Sequence, residues 1–548
     1  MFKVALVVPN GRIKFASDCS PPLNLAYLAS MLRSYMNDVD VKIFDGTAKT
    51  NVWHELFCFQ PNIVGLTATT PLITDAYDLA DTLRKCRPDI TVILGGPHVS
   101  VLPDEALAHA DYVVVGEGEN AIVDIANKVK AEGKPAKPKI VYGVAVECLD
   151  HIPRASFELL DMSFYLSRSF LQPIMNPPVM GLVTSRGCPV KPACVFCYNS
   201  WNTNKVRYFS AKRVIEDLMF LHEKYGVSNF FFQDDEFLIN RKRLEELAYL
   251  IKEHGCSWLK WGCQARVTSL TKELLVLAES IGCVLIVPGI ESYNPRILNY
   301  LKNGSVKQSD IDRAVKLFAC SKITLMANFV VGTPTETFRE MWDSVDFYIK
   351  TPELTSMIVN VLTPYPGTQA WNDCNRLGLL PENIDYSRLI PTQEGHFNVS
   401  TANQKDFKVF LRNVSRICWV IRTVRFKRGL KGFFGLWKAK TWWWMWLVYP
   451  DYMWALFSQC RKDGLRHGEF CPRTRRKYIV IHNNGVSGSL CYCSECGREI
   501  KVELYSKHRY FDECGLYDEE RQRHDIARLC VAEKQKKTVD GEKMEVNS

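Results

Sequence analysis

The stretch Thr184-Ser185-Arg186-Gly187-Cys188-Pro189-Val190-Lys191-Pro192-Ala193-Cys194-Val195-Phe196-Cys197 decides the reading of this chain. Three thiols on one short loop suit an iron–sulfur cluster that keeps one iron without a protein ligand, open to a substrate or cofactor. Spacing alone leaves two alternatives, a zinc loop short of its fourth ligand or three buried thiols.

On the carboxyl side of the loop, apolar runs and helical segments alternate. Strands are predicted at 182–184, 229–233, 259–263, 284–288, 325–331 and 357–362, with a helix from 211 ended by Gly226 and another capped by Asn240 and stopped near Gly255. On the amino side, short apolar strands are predicted at 3–8, 41–44, 63–67, 91–94 and 112–115, again alternating with helices. Both patterns are α/β, the amino-terminal one as a parallel sheet with helices on both faces. Functional loops of such a sheet sit at the carboxyl ends of its strands. Those ends carry Asp45-Gly46, Thr67-Ala68-Thr69-Thr70, Gly95-Gly96-Pro97-His98 and Gly116-Glu117-Gly118-Glu119. Glycines there let the backbone approach a flat ligand closely. A lone histidine such as His98 reads as a satisfied polar residue rather than a ligand.

With 548 residues and 47% hydrophobic content, the chain can bury a large core spread over two or three domains. The N-terminal run Met1–Pro9 is too short for a signal peptide and reads as a first strand, so the 20 cysteines are expected to be reduced or metal-bound in a cytosol. A net charge of +9 is modest for this size.

Polar residues also mark the carboxyl ends of the second set of strands, where barrel chemistry is built. These are Gln233-Asp234-Asp235-Glu236, Gln264-Ala265-Arg266, Gly289-Ile290-Glu291-Ser292, Asn328-Phe329-Val330-Val331-Gly332 with Pro334 and Glu336, and Leu362-Thr363-Pro364-Tyr365-Pro366-Gly367-Thr368. In this order, together with the cysteine loop, they resemble the motifs of the radical S-adenosylmethionine enzymes. Within these, residues 1–385 resemble the group with an N-terminal cobalamin-binding-type domain, which includes the anaerobic Mg-protoporphyrin monomethyl ester cyclases. One departure is the spacing: five residues separate Cys188 from Cys194 where the family has three, as if Pro192-Ala193 were inserted.

The resemblance implies a Rossmann-like cobalamin-binding-type domain over 1–145, a linker over 146–180 bearing Asp150-His151-Ile152-Pro153-Arg154, and a partial (βα)6 TIM-like radical barrel over 181–385. It implies Cys188, Cys194 and Cys197 as ligands of a [4Fe-4S] cluster whose open iron chelates S-adenosylmethionine, with an electron from the cluster splitting the sulfonium to a 5′-deoxyadenosyl radical. Phe196 would lie beside the adenine; Gln233, Asp234 and Glu236 would meet the methionine amino group, Arg266 the carboxylate, and Glu291 the ribose or amino group. Asn328 and Gly332 would pack beside the adenine. Cobalamin would meet Asp45, Thr67, Thr69, Thr70, Gly95, Gly96 and Gly116. Relatives that ligate cobalt through histidine carry Asp-x-His-x-x-Gly; here the segment is Asp45-Gly46-Thr47-Ala48-Lys49-Thr50. That leaves cobalamin bound without a protein ligand, or a fold kept without the cofactor. The implied activities are methylation of an unactivated carbon of a hydrophobic or anionic small molecule, or radical cyclisation or coupling, fed by a low-potential donor such as flavodoxin or ferredoxin. A non-catalytic iron–sulfur electron carrier or redox sensor is the alternative from another class.

Beyond 385 the resemblance thins. A basic and tryptophan-rich helical region is expected over 386–470: eleven Lys or Arg against one acid, Asp406, between Lys405 and Lys440, then Trp437, Trp442-Trp443-Trp444-Met445-Trp446 and Trp454. No apolar run reaches the ~20 residues of a membrane span. Peripheral contact with the inner membrane face, a pocket for a large flat substrate, or a core helix with a solvated basic face all fit; no recognisable nucleic-acid module is present. Over 471–532 the cysteines Cys491, Cys493 and Cys496, with Cys471 or Cys514, suggest a zinc or iron site, an auxiliary cluster or unliganded thiols. The tail 533–548, rich in Lys and Glu, is expected to be disordered.

Overall fold

The computed structural model describes residues 1–10, 20–48, 52–167, 171, 174–198, 205–391, 398–427, 443, 478–480, 488–493 and 499–503. The chain divides into two compact units. One comprises Met1–Gln264, Ser280–Cys283 and Thr363–Phe397; the other comprises Ala265–Glu279, Val284–Leu362 and Asn398–Ser548.

The first unit begins with β1 (Phe2–Val8), α1 (Leu23–Tyr35), β2 (Val39–Asp45), α2 (Val52–Phe59), β3 (Ile63–Thr67), α3 (Ile73–Cys86), β4 (Thr91–Gly95), α4 (Pro97–Val101), α5 (Pro103–Leu107), β5 (Tyr112–Gly116), α6 (Glu119–Glu132) and β6 (Lys139–Gly143). The strands pair in parallel in the order β2-β1-β3-β4-β5-β6. Alternation along β1 feeds two cores. Val4, Leu6 and Val8 pack with Leu25, Ala29 and Leu32 of α1 and Ile122 of α6; Ala5 and Val7 pack with Val52, Leu56, Ile73 and Leu79 of α2 and α3. A strand buried on both faces must be apolar throughout, which is why β1, β3, β4 and β5 read as nearly unbroken hydrophobic runs. The order reverses at β1, between β2 and β3, and that reversal opens a crevice at the carboxyl ends of the strands. The edge strand β6 escapes sequence reading, because Lys139 and Tyr142 face solvent and leave too short an apolar signal.

After α7 (Met162–Leu166) come β7 (Val179–Leu182) and a short antiparallel ribbon of β8 (Ser185–Arg186) with β9 (Arg207–Tyr208). The strand predicted at 182–184 lies earlier, because Thr184 and Ser185 leave the sheet to bind an aspartate side chain described below. Next are α8 (Ala211–Tyr225), β10 (Asn229–Phe232), α9 (Arg241–Glu253) and β11 (Lys260–Ala265). In this unit β10 pairs in parallel with β7 and β11. The predicted signals act as expected, with Gly226 closing α8 in the left-handed conformation and Asn240 accepting from the Arg243 amide, and Ser210 adds a cap at the start of α8 by accepting from the Arg213 amide.

The second unit holds α10 (Lys272–Ser280), β12 (Cys283–Glu291), α11 (Pro295–Leu301), α12 (Gln308–Phe318), β13 (Thr324–Val331), α13 (Phe338–Lys350) and β14 (Leu354–Val361), with β13 pairing in parallel to β12 and β14. The first unit resumes with α14 (Gln369–Arg376), and the second closes with α15 (Gln404–Lys427) and the antiparallel strands β15 (Tyr478–Val480), β16 (Gly488–Cys493) and β17 (Glu499–Glu503). Phe407, Phe410, Leu411, Val414, Ile417 and Ile421 form the buried stripe of α15, spaced at helical periodicity, while Lys405, Lys408 and Arg412 are exposed. The first part of the basic block is therefore a core helix with a solvated face. Trp437, Trp442, Trp444, Trp446 and Trp454, the metal-site candidates Cys471, Cys496 and Cys514, and the tail lie outside the described residues; Cys491 and Cys493 fall on β16. No described helix is long and apolar enough to cross a membrane.

Candidate functional site

The cysteine loop leaves the β8–β9 ribbon at Gly187, whose φ is +97° and where a Cβ would lie 2.8 Å from the Lys205 carbonyl oxygen. Only glycine makes that turn without strain. Cys188, Cys194 and Cys197 are half-buried. The Cys197 amide donates to the Cys194 carbonyl at 3.0 Å, and the intervening Val195, fully buried, accepts from the Ala370 amide at 2.9 Å. The root of the loop is held more tightly. Asp234, at the end of β10, accepts from the Thr184 amide, the Thr184 hydroxyl and the Ser185 hydroxyl, each at 2.6 Å. Burial lifts its carboxyl above the usual aspartate range, against the pull of these donors and of the nearby Arg243 guanidinium. Arg243 itself donates to the carbonyls of Thr184 and Phe209, at 3.0 and 3.2 Å.

As a donor set, three half-buried thiols on one anchored loop fit an iron–sulfur cluster. Among the described residues no three His, Cys, Asp or Glu side chains converge on a single ion; a cluster takes each thiolate on a different iron.

At the carboxyl ends of β1, β3, β4 and β5 lies a cavity of about 1050 Å³. Leu6, Leu66, Ile93 and Val114 contribute apolar wall, and Gly65, Gly95, Gly96, Gly116, Gly118 and Gly143 contribute backbone without side chains. Gly96 has φ +105°, and a Cβ there would stand 2.9 Å from the Thr67 hydroxyl and 3.0 Å from the Ala68 carbonyl oxygen. Ser100 ties two of these loops together, donating to the Gly96 carbonyl and accepting from the Gly116 amide. A large, mostly apolar crevice of bare backbone fits a flat macrocycle with an extended tail. Val183, Arg186, Tyr198 and Phe209 also line it, so both flanks of the cysteine loop share its wall.

Thr67, Thr69, Gly95, Gly96 and Gly116 line this cavity. Asp45 and Thr70, expected beside them, are engaged elsewhere. Asp45 is buried, accepts from the Tyr165 hydroxyl of α7 and binds the Thr47 amide at 2.9 Å. Thr70 is buried against the His98 imidazole at 3.2 Å, and His98 also faces Glu105 and the Tyr386 ring. Burial beneath the loop, rather than a ligand, accounts for His98.

Gln233 donates to the Ser20 hydroxyl at 2.6 Å, over Gly181, where a Cβ would come within 2.9 Å of both groups. Glu236 is buried and Phe196 half-buried.

Sequence reading missed a four-charge cluster, three of whose members, Glu117, Glu119 and Arg186, line the cavity. Arg186 reaches Glu119 at 2.5 Å and Glu117 at 3.2 Å, and Arg207 binds both oxygens of Glu117 and the Val146 carbonyl. Burial raises the Glu117 carboxyl, but the two guanidiniums outweigh it and hold it below the usual range. Glu117 and Glu119 stood in a loop already singled out for its glycines; nothing in the sequence paired them with arginines 67 to 90 residues away.

In the second unit, Glu291 has φ +65° at a register break in the β12–β13 pairing, and its carboxylate accepts from Lys302 at 2.9 Å. The residue expected to meet ribose is thus engaged by a buried ammonium. Arg266 donates to the Ser305 hydroxyl at 3.2 Å, and Asn328 is half-buried on β13. Gly332, with φ +81°, leaves room for Phe407 of α15, whose ring a Cβ would meet at 2.8 Å. The amides of Gly332 and Thr333 both donate to Glu336, at 2.7 and 2.8 Å. Burial nevertheless pushes the Glu336 carboxyl up to about 8.

Residues 12–126 match the family of B12 binding domains, and residues 182–348 match the radical SAM superfamily. The chain is 34% identical over 400 residues to an uncharacterized methyltransferase of Pyrococcus horikoshii, covering 68% of this chain and 83% of the relative. It is 28% identical over 338 residues to the bacteriochlorophyllide d C-8(2)-methyltransferase of Chlorobaculum tepidum, covering 58% and 69%. Its fold is similar to that of TsrM from Kitasatospora setae, a radical S-adenosylmethionine methyltransferase solved with cobalamin and a [4Fe-4S] cluster bound. The TM-score is 0.59 at 17% identity, over 77% of this chain and 89% of the other.

Proposed function

This chain belongs to the radical S-adenosylmethionine enzymes that carry a B12-binding domain, and on that premise we propose that it methylates an unactivated carbon of a small hydrophobic or anionic molecule. Membership brings a [4Fe-4S] cluster, S-adenosylmethionine and cobalamin, and a need for reductant, which we assign to a flavodoxin- or ferredoxin-type donor. When bound, these groups supply the electron and the methyl group of the reaction. Cys188, Cys194 and Cys197 would hold the cluster, with Asp234 and Arg243 fixing the root of their loop. The crevice walled by Thr67, Thr69, Gly95, Gly96 and Gly116 would hold the corrin within the 1–145 domain, and among the described residues its lining includes no histidine, cysteine or methionine that could ligate cobalt. Arg266 would face the methionine carboxylate and Phe196 the adenine, as the family motifs imply.

The single observation that carries this reading is that one cavity is lined both by the bare backbone of the first sheet and by the flanks of the cysteine loop. Its hydrophobic substrate class rests on the bacteriochlorophyllide d methyltransferase that the chain resembles. The test is anaerobic reconstitution with iron and sulfide, then reduction with hydroxocobalamin and S-adenosylmethionine. Retained corrin with formation of both S-adenosylhomocysteine and 5′-deoxyadenosine is the expected result. Deoxyadenosine from protein that retains no corrin would overturn methylation in favour of radical cyclisation or coupling.

A further inference from the structure

The geometry points to Arg186 and Tyr198 as positioning residues that make the corrin cavity and the cysteine loop one cooperative unit, each tightening when the other is filled. The inference rests on the reading above, that the cavity holds a corrin and the loop a cluster.

The two residues bracket the three cysteines: Arg186 stands two positions before Cys188, and Tyr198 directly follows Cys197. Each is tied to a different loop at the carboxyl edge of the first sheet. Arg186 bridges Glu117, just after β5, and Glu119, at the start of α6, while the Tyr198 hydroxyl donates to the Pro97 carbonyl at the start of α4, just after β4. Both residues line the cavity themselves, as do Gly96, Pro97, Gly116, Glu117 and Glu119. The Arg186 pairs lie in a poorly hydrated wall: Arg186 is 22% and Glu119 7% exposed. Ion pairs there are screened little by salt.

A ligand seated in the cavity would restrict the loops after β4 and β5, and these hold the two ends of the cysteine loop. A cluster seated on the cysteines fixes those same ends from the other side. Whichever binds second meets a site already ordered by the first, so less ordering remains to oppose it. Linkage makes the effect reciprocal, and coupling of this kind is typically on the order of five- to 150-fold in affinity.

The experiment titrates hydroxocobalamin by absorbance into the full chain, cluster-free and after anaerobic reconstitution, for wild type, Arg186→Met, Tyr198→Phe and the double variant. Wild type is expected to bind the corrin about tenfold more tightly when reconstituted. The double variant should bring that ratio to within about twofold, the ratio being taken within each variant so that any change in its cluster-free affinity or stability cancels. Tyr198→Phe removes one hydroxyl and keeps the ring, so it reports even if Arg186→Met lowers the yield of folded protein. Arg186→Lys should retain part of the ratio. Equal corrin affinity in the two wild-type forms, or an undiminished ratio in the double variant, would overturn the coupling alone. Absence of corrin binding in both wild-type forms would remove the underlying reading as well.

Discussion

Replacing Asp234 with alanine tests whether the cysteine loop is positioned from its root. The carboxylate accepts three hydrogen bonds, from the Thr184 amide and the hydroxyls of Thr184 and Ser185, in a site 1% exposed, and lies near the Arg243 guanidinium. Bonds to a charged acceptor contribute about 1.5–3 kcal/mol each. Two of the three share one oxygen, so the sum is not additive, and about 3–5 kcal/mol is a fair figure for losing the carboxylate and leaving a buried arginine beside the hole. Asparagine has the same shape. Its carbonyl can still accept from the Thr184 amide, and both hydroxyls can rotate to accept from its amide group, leaving a loss of about 1–2 kcal/mol. For a domain of this size that corresponds to melting temperatures lower by roughly 6–15 °C for alanine and 2–6 °C for asparagine. The assay is thermal unfolding of the cluster-free protein, paired with iron and sulfide content after anaerobic reconstitution. Iron retention should fall in the order wild type, Asp234→Asn, Asp234→Ala. An alanine variant that melts within about 2 °C of wild type and takes up the full cluster would refute the role assigned to this carboxylate.

Three other expectations follow from the same geometry. Replacing any one of Cys188, Cys194 and Cys197 with alanine should abolish the charge-transfer absorbance of the reconstituted protein, whereas Cys263→Ala, a buried thiol raised far above its usual range by desolvation, should leave it intact. Gly96→Val places a side chain at φ +105° within 3.0 Å of Thr67 and Ala68 and should weaken hydroxocobalamin binding at least about tenfold, measured by titration. Glu336 makes stability depend on pH with an unusual sign. Because its folded carboxyl is pushed up to about 8, the folded state keeps a proton that the unfolded state has already released above about 4.5, so its contribution is lost as pH rises between those values. Glu336→Gln should flatten the decline in melting temperature over that window; an unchanged profile would show that another group titrates there.

What could be read from the chain, and what could not, divides along a physical line. Strands β1, β3, β4 and β5 announce themselves because a sheet covered on both faces demands continuous apolar runs, and the caps Asn240 and Gly226 act within a few residues of themselves. The cysteine loop was legible for the same reason, since its chemistry is local. The supports of that loop are distant. Asp234 meets Thr184 across 50 positions, and Arg207 meets Glu117 across 90. A carboxylate at a strand end looks alike in one chain whether it faces a ligand, as expected of Asp234 and Glu291, or is consumed by the protein, as the bonds to Thr184 and Lys302 show. The distinction is one of hydrogen-bond accounting, because a buried carboxylate must satisfy its oxygens somewhere and only the fold says where. Applied to the cavity wall, that accounting gives Glu117 and Glu119 to Arg186 and Arg207, so these carboxylates are bound to the cysteine loop before any cofactor arrives. On the reading proposed above, the charge of these side chains serves to join the loop after β5 to the cysteine loop rather than to bind a ligand.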